Sequence, residues 1–172
     1  MKKLKLTIIL MLFICMTFSQ SKDGKMAKYD LVKCSVEWEN ICNRYFKNGK
    51  NALSEPEQTW FFLQTTMASI DNGGFSSLFY NSDADDYDDI YKSAIRLKNK
   101  VFIGLLDEAR KLFSEEEIPK SMEKRNDIMG EWGDSEEKIL SECDEKYYAN
   151  SAIIEDELIA YLMENGVIEK IK

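Results

Sequence analysis

Five aspartates within seven consecutive positions are the residues whose type and spacing could do chemistry in this chain. They lie near the end of NGGFSSLFYNSDADDYDDI, residues 72–90, and are Asp83, Asp85, Asp86, Asp88 and Asp89. Carboxylates one helical turn apart are about 5 to 6 Å from each other, and a DNA strand advances about 3.4 Å along its axis per phosphate. Because these charge spacings are comparable, a basic surface that binds nucleic acid could accept the aspartates in its place.

The alternative interpretation of the aspartates is a helix start that faces water. If Ser82 caps a helix with Tyr87 and Ile90 on its buried side, all five aspartates are predicted to project into solvent. Acids in the first turn stabilise a helix by roughly 0.3 to 1 kcal/mol each, which accounts for the first three. Asp88 and Asp89 lie beyond that turn, and like charges one turn apart are mutually repulsive. Because helix stability does not require these two acidic residues, their presence favours a binding surface.

A calcium site is a further alternative for the same stretch. Residues 81–85 begin like an EF-hand loop, in which one short segment supplies several oxygen ligands. However, Asp86 stands where that loop has an invariant glycine, and Lys92 stands where it has a bidentate glutamate. We therefore predict no metal site and no other cofactor.

Residues for catalysis are scarce. The chain contains no histidine, which removes the commonest general base and metal ligand near neutral pH. Carboxylate pairs could act as acid and base, but none stands out from the acidic background. Cys143, beside Asp144, lacks the histidine that usually activates a nucleophilic thiol. We therefore predict that the protein is not an enzyme.

The elements that must position these residues are predicted to be helices. Apolar residues recur at helical spacing over 31–45, 60–70, 87–95 and 101–113, and shorter helices are predicted over 121–132, 135–149 and 152–165. The buried faces of the third and fourth helices include Ile95 and Val101, and these helices are expected to form an antiparallel hairpin. The fold class is thus all-α, a single compact domain of about six to eight helices.

Local start and stop signals support this division. Gly49 is placed to cap the first helix, and Ser54 with Glu57 forms a capping box at the start of the second. Gly73 and Gly74 are predicted to end that second helix, because glycine adopts the left-handed conformation that most side chains resist. The glycine corner therefore separates a dense apolar helix from the aspartates.

The first residues have the layout of a secretory signal peptide. Lysines at positions 2, 3 and 5 precede an apolar stretch over residues 6–18, which is too short for a comfortable membrane span. We predict residues 1–19 as the signal peptide, with cleavage between Ser19 and Gln20, residues 20–28 as a polar linker and residues 29–172 as the helical domain. A lipid anchor on Cys15 is the alternative, which Ile14 disfavours because such sites have a small residue at that position.

The charge balance limits the class of partner. Removing the leader takes away three basic residues and no acidic one, so the mature chain is more acidic than the formal charge of -8. Such a charge disfavours nucleic acid and anionic lipid as direct partners and favours basic protein surfaces. We expect a periplasmic or extracellular protein with no stable membrane insertion after cleavage.

Three cysteines remain after that cleavage, Cys34, Cys42 and Cys143. Cys34 and Cys42 lie eight residues apart, about 12 Å along one helix, which is beyond bridging distance. Pairing of Cys143 with either of them stays open. Buried thiols are favoured, because an odd count without a CxxC spacing indicates neither a disulfide framework nor a zinc site.

Several segments together resemble the DNA-mimic protein 19-like domain family over roughly residues 57–166. They are NGGFSSLFYNS, VFIGLLDEARKLF, EKRNDIM and DEKYY. The most specific part consists of Asn72, Gly73, Gly74, Phe75, Phe79 and Asn81. The resemblance implies that these residues are architectural, with Phe75, Leu78, Phe79 and Tyr80 entering the core.

The resemblance also implies a function. It implies an acidic, non-enzymatic domain whose carboxylates imitate DNA phosphates and occupy the DNA-binding face of a transcription regulator, and the mimicry would rest on the five aspartates. The predicted export departs from what the resemblance implies, because such a regulator is cytoplasmic. We therefore expect an exported acidic domain that binds a basic protein surface, with DNA mimicry as its special case. The alternative is an exported envelope protein with a structural or neutralising role and no DNA mimicry.

Overall fold

The computed structural model describes residues 35–113 and 117–169, and these contain six α-helices and no strands. The helices are α1 (Val36–Asn48), α2 (Glu55–Tyr80), α3 (Tyr87–Leu97), α4 (Lys100–Arg110), α5 (Met122–Met129) and α6 (Asp134–Glu164). Two 3₁₀ turns, Lys50–Ala52 and Ser82–Asp86, precede α2 and α3. The prediction of a compact all-α domain is confirmed.

Several predictions lie outside the described residues. These are the signal peptide, its cleavage site, Cys15, the polar linker, and Leu31 and Cys34 of the first apolar stripe. Within the part of the chain that is described, no helix combines the length and the apolar composition needed to cross a membrane.

Local signals set the boundary between α1 and α2 as predicted. Gly49 follows α1 with φ 75°, and its amide donates to the carbonyl of Tyr45. Ser54 precedes α2, and its amide donates to the Glu57 carboxylate at 2.8 Å in a capping box. Glu57 also pairs with Arg44 of α1. One side chain therefore caps α2 and fastens it to the preceding helix.

Helix α2 bends at Gly73 and Gly74 rather than ending there, because the chain resumes helical geometry as far as Tyr80. Gly74 has φ 71°, in the left-handed region. The bend is held from outside α2, where the amide of Phe75 donates to Asp144 at 2.8 Å and Tyr148 donates to the carbonyl of Ile70 at 2.8 Å. Two residues of α6 thus bond the backbone groups on either side of the bend.

Helices α3 and α4 form the predicted antiparallel hairpin. Lys98 ends α3 in the left-handed conformation with φ 61°, and Asn99 caps α4 by accepting from the amide of Phe102. Tyr87, at the start of α3, donates to the carbonyl of Leu106 near the end of α4 at 2.6 Å. Ile95 and Val101 are exposed, so the prediction that they are buried is wrong. Leu97 and Phe102 are the apolar residues buried next to the turn instead.

Helix α6 is one continuous element where two were predicted, over 135–149 and 152–165. At the expected break, the side chains of Asn150 and Ser151 hydrogen-bond carbonyls of the preceding turn. Tyr147 and Ile154 are both fully buried on either side of it. Burial of this apolar stripe against α2 and α4 outweighs the low helix propensity of the two polar residues.

Replacement of Gly74 by alanine tests the bend. An added Cβ would lie 2.2 Å from the Asp144 carboxylate oxygen at a left-handed φ, so Gly74→Ala is expected to lower the free energy of unfolding by more than about 2 kcal/mol. The control is Gly104→Ala within α4, where the added Cβ meets nothing within 4 Å. That change should raise stability by about 0.5 to 1 kcal/mol. Equal effects of both changes in denaturant titrations would contradict this account.

Candidate functional site

The aspartate run is divided between two elements. Asp83, Asp85 and Asp86 lie in the 3₁₀ turn Ser82–Asp86, and Asp88 and Asp89 lie in the first turn of α3. The prediction that Ser82 caps an α-helix containing all five aspartates is therefore wrong. A 3₁₀ turn has three residues per turn, so successive side chains point in directions about 120° apart.

The three aspartates of the 3₁₀ turn are partly buried and face three different helices. Asp83 accepts from the hydroxyl of Ser69 in α2, and Asp85 accepts from Arg125 of α5 at 2.7 Å. Asp86 accepts from the hydroxyl of Tyr45 in α1 at 2.9 Å. This contact and burial raise the pKa of Tyr45, burial being the larger cause. The three carboxylates therefore join the turn to the rest of the fold.

Both aspartates of α3 have cationic partners. Asp89 pairs with Lys50 of the first 3₁₀ turn and, at 4.0 Å, with Lys92. Asp88 pairs with Lys120 at 3.4 Å, and 69% of its side chain is exposed. The prediction that all five aspartates project freely into solvent is wrong, because only Asp88 is largely exposed and every one has a partner.

Arg125 is the buried cation that pairs with Asp85 of this run. Its side chain is 0% exposed, and it donates to the carbonyls of Phe79 at 2.8 Å, Pro119 at 2.7 Å and Asn81 at 2.6 Å as well as to Asp85. Carbonyls at the end of a helix lack intrahelical donors, so the guanidinium caps the C-terminus of α2. Sequence reasoning did not single out Arg125, although it lies within the family-like segment EKRNDIM.

The residues of the glycine corner and its neighbours differ in burial. Gly74, Phe75 and Phe79 are buried, whereas Asn72 and Gly73 are exposed. Asn81 is exposed, but its carbonyl accepts from Arg125 and its amide group donates to the carbonyl of Ser77. Tyr80 is exposed, so the expectation that it enters the core is wrong.

The DEKYY segment packs on this corner. Asp144 accepts from Phe75, Tyr148 donates to Ile70, and the ring of Tyr147 meets the edge of Phe75 with centroids 6.5 Å apart. The stretches EKRNDIM and DEKYY are thus distant in sequence from NGGFSSLFYNS, and both contact the part of the chain from the bend to the end of α2.

Comparison with known proteins identifies the family of this chain. A family model described as DMP19-like protein matches residues 51–165. The chain belongs to the DMP19-like protein family. No curated protein and no solved structure shows a significant match.

The DMP19-like family is not a known enzyme family. One surface cleft, about 490 Å³, is lined by Asn40, Asn43, Arg44, Lys47 and Asn48, none of which has a carboxylate. Another cleft, about 190 Å³, contains Asp88 and Glu117, both exposed. Neither therefore offers two buried carboxylates that converge. Among residues 35–113 and 117–169, no group of three or more potential ligands could hold a metal ion.

Most of the surplus negative charge among the described residues of this DMP19-like domain lies on α6. That helix contains ten acidic residues and two basic ones, Lys138 and Lys146. Its exposed acids are Asp134, Glu137, Glu142, Glu145, Asp156, Glu157 and Glu164. The predicted division of this segment into two helices, over 135–149 and 152–165, separated acidic residues that belong to one helix. The signal available in the sequence was the excess of acidic over basic residues along the whole of residues 134–164.

Burial perturbs two neighbouring groups on the inner side of α6. It raises the pKa of the Cys143 thiol to about 11, so this thiol is protonated at neutral pH. Cys143 is a free thiol and is therefore not bridged to Cys42, which is also buried. Burial also raises the pKa of Asp144, and the amide of Phe75 opposes that shift by favouring the carboxylate.

Substitution of Arg125 tests the cap of α2. Arg125→Met is expected to lower the free energy of unfolding by about 3 to 5 kcal/mol, because it leaves Asp85 and buried carbonyls without their donor. Lys124→Met, at the exposed neighbouring position, is the matched control and should change stability by no more than about 0.5 kcal/mol. Urea unfolding curves measure both effects. A similar small effect for the two variants would refute the assigned role of Arg125.

The raised pKa of Asp144 predicts a pH dependence of stability. An unfolded aspartate titrates near pH 3.9, and a group whose pKa is higher in the folded state costs stability as the pH rises through that folded pKa. Asp144→Asn retains an acceptor for Phe75 and removes this cost. Its stability relative to wild type should therefore increase from about pH 4 towards neutrality. The control is Asp156→Asn on the exposed face; parallel curves for wild type and Asp144→Asn would contradict the prediction.

Proposed function

We propose that this protein is a non-enzymatic interaction domain that binds a basic protein surface through the carboxylates on the outer face of α6. The observation that supports the proposal is the excess of ten acids over two bases on one helix. Of its exposed acids, Glu142 pairs with Lys138 at 3.9 Å, and the others have no ion pair within the described residues, in contrast to the aspartate run. This proposal therefore moves the main binding surface from the run to α6 and leaves Asp88 as the one exposed contributor from the run.

The geometry of α6 favours electrostatic recognition. A 31-residue helix is about 46 Å long at 1.5 Å per residue. The carboxylates are therefore spread along one continuous helix, comparable in length to more than one turn of DNA. Membership of the DMP19-like family adds the finer proposal that the basic surface is one that otherwise binds DNA.

The predicted leader restricts which basic surfaces are available. If residues 1–19 direct export, the partner is a basic protein of the envelope or the extracellular space, and a DNA-binding regulator is the partner only of a protein retained in the cytoplasm. Detection of the mature chain in fractionated cells decides between these two settings. The proposed chemistry of the interface is the same in both.

Charge neutralisation on α6 tests the proposal. The full chain is titrated with labelled polylysine at low and high salt, and binding should weaken steeply with salt because the contact is electrostatic. The triple variant Glu137→Gln, Glu145→Gln, Asp156→Asn should bind roughly tenfold more weakly, since loss of each such contact costs up to about 1 kcal/mol. Fluorescence anisotropy measures the dissociation constants.

A second triple variant is the control for total charge. Glu37→Gln, Glu39→Gln and Asp127→Asn remove the same number of exposed charges from α1 and α5. Polylysine should bind this variant nearly as tightly as wild type. Equal weakening in both triple variants would show that only net charge matters, and binding that is indifferent to salt would refute the electrostatic proposal.

A further inference from the structure

The acidic face of α6 is interrupted in its middle by an uncharged patch, which consists of Tyr148, Ala149, Ala152 and Ile153. All four residues are exposed, Tyr148 at 50% and Ile153 at 55%. Ala152 follows Tyr148 by four positions and Ala149 by three, and Ile153 follows Ala149 by four, so these side chains are neighbours on one surface. An exposed apolar patch bordered by polar residues is typical of an interaction site.

The shape of this central patch suits a packed partner. Ala149 and Ala152 form a low floor, with the larger Tyr148 and Ile153 on either side. Small residues let two helices approach closely, and neighbouring larger side chains form ridges that fit between those of a second helix. The Tyr148 hydroxyl is bonded to the carbonyl of Ile70, so the ring is fixed before binding, and a rigid aromatic anchor loses little entropy.

Carboxylates border the central patch at both ends of its long direction. Glu145 lies one turn before Tyr148 and Ala149, and Asp156 lies one turn after Ala152 and Ile153. Both are exposed, and neither has an ion pair within the described residues. They are eleven positions apart, which corresponds to about 16 Å along the helix. Between them, Lys146 is the one basic residue of the helix.

These features identify the class of partner. We infer that the central patch receives an amphipathic helix of another protein, with an apolar stripe flanked by lysine or arginine residues about 16 Å apart. Charge complementarity supports this occupant, because the apolar stripe would cover the four uncharged residues while the basic residues reach Glu145 and Asp156. A second copy of α6 is disfavoured, since its carboxylates would face those of the first.

This inference rests on the proposed function but makes a separate demand. A surface that only imitated phosphates would require charge alone, whereas this one also requires an apolar contact of defined shape. The order of residues in the partner should therefore matter as well as its charge.

Two synthetic peptides provide the test. One places leucines at helical spacing with lysines along both edges, and the other has the same composition in an order without amphipathic periodicity. Each is labelled and titrated into the full chain at low and high salt, and fluorescence anisotropy gives the dissociation constants. The amphipathic peptide should bind at least roughly tenfold more tightly than the scrambled one, which is the size of effect expected for a central apolar anchor.

Variants of the chain locate the contact. Ala152→Gln fills the floor of the central patch without changing charge, and Ile153→Ser removes one side of it. Each should weaken binding of the amphipathic peptide roughly tenfold and leave binding of the scrambled peptide unchanged. Ala160→Gln is the matched control, because Ala160 is exposed on the same helix beyond Asp156, and it should not alter binding. Circular dichroism of each variant verifies the fold.

The outcomes distinguish this inference from the proposed function. If both peptides bind equally well, or if Ala152→Gln and Ile153→Ser have no effect, the apolar contact is refuted while salt-sensitive binding through α6 still stands. If neither peptide binds, or binding is indifferent to salt, the proposed function fails and the inference fails with it. Weakening by Ala160→Gln equal to that by Ala152→Gln would also overturn the assigned location.

Discussion

The arrangement of the other elements depends on the hydrogen bonds of the Arg125 guanidinium. It is completely buried, and a buried cation is tolerated only when its donors are satisfied. Its acceptors are the end of α2, the 3₁₀ turn before α3 and the loop before α5. These three segments must therefore keep fixed positions relative to one another, and the bend in α2 directs its last turn towards the same point.

Local features of this arrangement could be predicted from the sequence, because they depend on neighbouring residues. The capping box of Ser54 and Glu57, the cap at Gly49 and the break in regular geometry at Gly73 and Gly74 are of this kind. The roles of the aspartates could not, because their partners are distant: Tyr45 is 41 positions from Asp86, and Arg125 is 40 positions from Asp85. A run of charges in a sequence gives the number of charges but not their directions.

The continuity of α6 could not be predicted from local helix propensity. Asn150 and Ser151 are poor helix formers and indicate a break when the segment is considered alone. Tertiary burial on both sides of them keeps the segment helical, and Asp144 and Tyr148 bond the backbone of α2 beside it. Family membership therefore speaks to the fold. Tyr148 belongs both to these packing contacts and to the central patch, whereas Ala149, Ala152 and Ile153 are exposed members of the patch alone.

The attachment of α6 has a kinetic consequence for any partner. Asp144 and Tyr148 fasten the middle of the helix to the bend, and its carboxylates are held along a stiff rod. A flexible acidic tail would have to be ordered during association, at about 1 to 2 kcal/mol per residue for the backbone, and this rod would not. The electrostatic field of these carboxylates would also extend along the helix and guide a cationic molecule during diffusion. The advantage of placing the charge on a helix would therefore be capture of the partner on first encounter.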